Sequence, residues 1–149
     1  MTNLDPEAKA ALRRTMRMAL AAGWVAISAA GWLRMAESLR LRDWLELAGV
    51  QPNPDWLAVG GAVWGMISVT AAILLWLNSA WAVLGSRIAA AALVILFWID
   101  RLALSQSETA AANRWYEIGV TVLLSGLVWL MTWVMQQVRL SPDEERVKE

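Results

Sequence analysis

Arg87 follows an uncharged run of thirty-one residues, Trp56 to Ser86, and is the only charge placed to fall inside an apolar span. An ionisable group at such depth is either a contact for an anion or lipid headgroup, or a snorkelling side chain whose aliphatic stem carries the guanidinium to a polar boundary. No Asp or Glu stands at matching depth in another span, so snorkelling is the simpler reading. Trp24, Trp64 and Trp129 fall near the middle of their apolar segments, where an indole N–H needs an acceptor from a neighbouring helix or a ligand. Packing inside a helical bundle is the plain reading of these three, and walls of a ligand cavity the sharper one. Arg34, Glu37, Asp100, Arg101, Arg114 and Glu117 all lie near span ends, where they could close one end of the bundle as a ring of ion pairs or line a cavity mouth with Tyr116. Within that set, Asp100 with Glu117 is the one acidic pair to weigh for proton or cation handling.

The absences narrow the chemistry further. With no Cys and no His, the chain lacks thiol catalysis, disulfides, the commonest metal ligands and imidazole ligation of haem. No nucleophile with a partner base, phosphate-binding glycine loop or metal-ligand cluster is present, so the expectation is a non-enzyme with no cofactor and no metal. Lys plus Arg equals Asp plus Glu at 13 each, which gives no basic excess for a nucleic-acid partner.

The elements that must position these residues follow from hydropathy. Hydrophobic residues make up 58% of the chain and charged ones only 17%, against roughly 25% charged in soluble domains. A 20-residue apolar helix spans the ~30 Å hydrocarbon core of a bilayer, and several stretches here are long enough. Asp5-Pro6-Glu7 reads as a helix start, with a first span over about 14–35. From Ala36 to Gly49, Leu41, Trp44, Leu45 and Ala48 share one face opposite Arg42, Asp43 and Glu46, which predicts an amphipathic interfacial helix ended by Gly49. Asp55 is the expected cap of the second span, about 56–77. A break at Asn78-Ser79 separates it from a third span over 80–100, and the polar Ser105–Glu108 region precedes a fourth over 115–138. The charged 141–149 tail, too polar to bury, should be mobile or a short capped helix.

The fold class expected is therefore all-α: a four-helix transmembrane bundle, residues 1–140, with an interfacial helix between the first and second spans. Trp32, Trp56, Trp98 and Trp115 suit headgroup boundaries among the eleven Trp, whereas Phe and Tyr occur once each. With both termini cytoplasmic, Lys and Arg number eight inside and five outside, which favours that orientation, in a bacterial cytoplasmic membrane. A weak echo between the Trp32 and Trp98 segments and between those at Trp56 and Trp115 would fit a duplicated hairpin.

Small residues recur every four positions at Ala22, Ala26 and Ala30, at Gly61 and Gly65, and at Ala82, Ser86 and Ala90. In lipid, helices associate by close van der Waals approach, so these are expected helix contacts, within the bundle or between subunits. Beyond the lipid bilayer itself, the partners expected are a second copy or another membrane protein. The function these surfaces favour is a non-catalytic accessory or assembly subunit or a homo-oligomer. The alternative is a binder or transporter of a hydrophobic or anionic small molecule, with Trp24, Trp64 and Trp129 as cavity walls and Arg87 as the anion contact.

Overall fold

A computed structural model of the chain describes residues 5–49, 53–101 and 114–140. Those residues are all-helical: α1 (Pro6–Arg40), α2 (Arg42–Leu47), α3 (Pro54–Trp76), α4 (Ala82–Ile99) and α5 (Arg114–Leu140). Four of them, α1, α3, α4 and α5, are long and apolar enough to cross a membrane. Each packs against the next around an up-down-up-down ring, with α5 returning to α1 and the α1–α3 contact the most extensive. The Ser105–Glu108 region and the 141–149 tail lie outside the described residues.

Local chemistry sets the boundaries. Asp5 is the N-cap of α1 with Pro at the first turn, although its carboxylate makes no capping hydrogen bond. Helix α1 does not stop near Met35. Ala36, Glu37, Leu39 and Arg40 contain no helix breaker, and Ser38 satisfies its hydroxyl by donating to the Arg34 carbonyl at 2.8 Å. The amphipathic segment is correspondingly reduced to the six residues of α2, none of them buried. Arg42 ties α2 to Asp55 of α3 at 2.9 Å and to Glu46 at 3.1 Å. Its hydrogen bond to Glu46, with Asp55 beside it, raises the Arg42 pKa above the ordinary value. Gly49 takes the left-handed conformation, φ +64°, that ends such a turn.

The cap of α3 is Asn53, not Asp55: Asn53 Oδ1 accepts from the Trp56 amide at 2.9 Å. Pro54 at the first turn lacks an N–H, so the acceptor one residue earlier reaches the third-position amide while Asp55 is already helical. The chain reverses at Asn78, whose φ of +52° is one Asn tolerates better than most residues.

Packing is inverted relative to a protein folded in water. The core is built mostly from small side chains, among them Ala21, Ala71, Ala72, Ala82, Ala89 and Ala90, with Leu20, Trp24, Leu75, Leu93 and Met135. Large apolar side chains face outward, Trp76, Trp81, Trp115 and Leu123 each more than three-fifths exposed. The closest backbone approach is between α1 and α3. A methyl group on Gly31 would lie 2.6 Å from the Gly65 nitrogen, and one on Gly61 would lie 2.7 Å from the Gly31 carbonyl oxygen. Ser28 spans the same contact by donating to the Gly65 carbonyl at 3.0 Å.

Candidate functional site

The close approach at one pair of helices is balanced by a gap elsewhere. Between α1, α3, α4 and α5 lies an apolar cavity of about 410 Å3, bordered by Trp24 and Ile27 of α1, Trp64 of α3, Leu93 and Phe97 of α4, and a face of α5 from Tyr116 to Val128. The aromatic side of its wall is ordered edge on: Trp64 and Phe97 have centroids 6.5 Å apart at 52°, and Phe97 meets Trp98 at 5.6 Å in a T-shaped pair. Polar groups on the wall are few, Thr121 and Ser125 on α5 with Glu117 near one end. Trp24 is only 2% exposed, yet its indole N–H has no hydrogen-bond partner. A buried indole donor without an acceptor is unfavourable.

At the end of the bundle nearest Glu117, ion pairs gather. Arg34 bonds Asp100 at 2.8 Å, and the Trp56 indole donates to the same carboxylate at 2.6 Å, so α1, α3 and the C-cap of α4 meet at one acid. Arg101 pairs with Glu117 through Nε at 2.7 Å, joining α4 to α5. Arg34 also lies over the Trp64 ring, 5.9 Å from its centroid. Asp100 and Glu117 are thus each engaged by a different arginine. Glu37 forms no ion pair among the described residues, and the Arg114 side chain lies outside them.

The structure brings Trp24 and Trp64 together at the cavity, but not Trp129. That ring is 56% exposed and faces away, with the Arg87 guanidinium 4.4 Å from its centroid. Arg87 also donates to Thr132 Oγ1 and Gln136 Oε1, both at 3.1 Å, and Thr132 passes its own proton to the Val128 carbonyl at 2.8 Å. Arg87 is therefore a link between α4 and α5 rather than a wall of the cavity. A search for carboxylate partners overlooks this arrangement; the signal was Thr132 and Gln136 one turn apart on the facing helix.

Gly61 and Gly65 contact α1, while Ala82, Ser86 and Ala90 are buried inside the bundle. On α1 itself the contact residues are Ala21, Trp24, Ser28 and Gly31, whereas Ala22, Ala26 and Ala30 are exposed. No group of His, Cys, Asp or Glu among the described residues is arranged to hold a metal ion. Comparison with protein-family models, curated proteins and solved structures gave no match.

Proposed function

We propose that this chain is an integral membrane protein that binds a lipophilic small molecule in the cavity bordered by Trp24 and Trp64. The outward-facing Trp, Leu, Ile and Val side chains would meet lipid, an arrangement that in water would expose far more apolar surface than monomers tolerate. The orientation proposed puts both termini in the cytoplasm, from the excess of Lys and Arg there. The observation that carries the binding reading is a 410 Å3 apolar space walled by Trp24, Trp64 and Phe97, with the unpaired indole donor of Trp24 buried in that wall. That volume lies within the range of small-molecule sites, roughly 300–1,000 Å3, and its composition asks for an apolar body with one hydrogen-bond acceptor such as a carbonyl, ester or ether oxygen.

The test is binding of lipophilic carbonyl compounds to the full chain in detergent, read as the difference in Trp fluorescence between the native protein and W24F, because eleven Trp would otherwise dilute the signal. A saturable change that W24F loses supports the reading; fluorescence indifferent to every such compound in both proteins overturns it.

A second reading, an accessory or assembly subunit, is favoured by the exposed Ala22, Ala26 and Ala30 face of α1, a surface on which another helix could pack closely. It predicts an oligomer or a co-purifying partner that A26L disperses.

A further inference from the structure

At the opposite end of the bundle from the ion pairs, a second cleft of about 130 Å3 opens between α1, the α3–α4 turn and α5. Arg13 and Arg17 line it from α1, Ser79 from the turn, Val83 and Leu84 from the first turn of α4, and Gln136 from α5. Among the described residues its charge is one-sided. Arg34, Arg42 and Arg101 at the other end each have a carboxylate partner, whereas neither Arg13 nor Arg17 forms an ion pair among the described residues. Among the described residues the buried Arg17 Nε has no acceptor.

Two further groups of donors border the same space. Helix α4 starts at Ala82 with Trp81 as its N-cap; the Ala82 amide bonds the Ser79 carbonyl at 3.1 Å, whereas Val83 and Leu84, which line the cleft, have no capping side chain for their amides. Arg87 donates to the Gln136 Oε1, which fixes that amide and leaves its NH2 as the end free to donate. Guanidinium groups from α1, backbone amides from α4 and an amide from α5 thus come from three directions. A tetrahedral oxyanion, whose oxygens point apart, can accept from all three sides at once.

We propose that this cleft binds a phosphate group, carried by a membrane lipid or by a soluble phosphate ester, with Arg13 and Arg17 as its charged contacts and Arg87 as a positioning residue acting through Gln136. The site is separate from the apolar cavity, and its occupancy stands or falls independently of what fills that cavity.

The experiment uses the full chain in a non-ionic detergent and measures binding of phosphatidic acid, diacylglycerol and inorganic phosphate by native mass spectrometry and calorimetry. One phosphatidic acid per chain is expected, with diacylglycerol, which has the same acyl chains and no phosphate, bound weakly. R13Q/R17Q should weaken binding by about tenfold or more, while R14Q, exposed and outside the cleft, should change it by less than about twofold. Millimolar inorganic phosphate that displaces the lipid assigns a soluble phosphate ligand; lipid that resists displacement assigns a headgroup. If the double variant does not fold, R13Q alone carries the test, with an expected weakening of about threefold. Diacylglycerol binding as tightly as phosphatidic acid, or R14Q matching the loss in the cleft variants, would overturn the proposal in favour of a diffuse basic surface.

Discussion

The Arg87 guanidinium lies over the Trp129 ring, 4.4 Å from its centroid, while its Nε–H donates to Thr132 and one Nη–H to Gln136. A cation, a π face and two neutral acceptors therefore do what a carboxylate would otherwise do for a charge within an apolar helix.

Removing that partnership should loosen α4 from α5. R87Q loses the stacking and the charge-assisted bonds, and T132V leaves the Arg87 Nε without its acceptor; each is expected to lower stability by about 1–3 kcal/mol. R87K should fall between, since an ammonium keeps the charge but not the planar fork. Thermal unfolding in detergent followed by circular dichroism checks this, and superimposable curves for R87Q and the native chain would refute it.

The glycines of the bundle should divide sharply. G31A and G61A force a methyl group against backbone atoms at 2.6 Å and 2.7 Å, which side-chain rotation cannot relieve, and should cost about 2 kcal/mol or more. At Gly23 and Gly60 nothing lies within 4 Å of the added methyl, so G23A and G60A should be neutral or stabilising by up to about 1 kcal/mol through helix propensity. Equal unfolding midpoints for G31A and G23A would show that α1 and α3 do not meet as described.

Much of this architecture was legible from residue order. Charge-free runs marked the long helices, Asn78-Ser79 marked the end of α3 and Gly49 that of the short α2, because breakers and charge act locally; the end of α1, where no breaker stands, was not marked. The facing of helices was not. Small residues occur almost all round α1, at Ala19, Ala21, Ala22, Gly23, Ala26, Ala29, Ala30 and Gly31, so spacing alone picks no contact side. The fourfold repeat pointed to Ala22, Ala26 and Ala30, while the packed side runs through Trp24, Ser28 and Gly31. Trp129 shows the same limit. A position midway along a helix fixes depth but not azimuth, and Trp129 turns outward where Trp24 turns in.

Asp100 is shared by Arg34 and the Trp56 indole, so D100N should be more disruptive than either R34Q or W56F alone. Both ion-pair partners retain some solvent access, and a double-mutant cycle for Arg34 and Asp100 should give a modest coupling of roughly 0.5–1.5 kcal/mol that shrinks as salt rises. A coupling of zero at low salt would count against the contact.

If the outward-facing apolar side chains meet lipid, the expressed chain should sediment with membranes after alkaline carbonate washing and require detergent for release. Recovery in the supernatant without detergent would defeat the membrane reading and, with it, the proposed cavity ligand.

Filling the cavity should compete with its occupant. S125F projects a ring from α5 into the space and is expected to abolish ligand binding while leaving the fold intact, whereas W24F should selectively weaken ligands that carry an acceptor oxygen. Unaltered affinity in S125F, measured by equilibrium dialysis in detergent, would place the ligand elsewhere.

Where α1 meets α3, a seam of glycine and serine has little slack for anything bulkier, and an exterior of tryptophan and leucine has few neighbours to offend. A saturation mutagenesis map of this chain should accordingly look like the photographic negative of one from a cytosolic enzyme: intolerant of growth at the small positions of that seam, and forgiving of greasy exchanges at its largest outward ones.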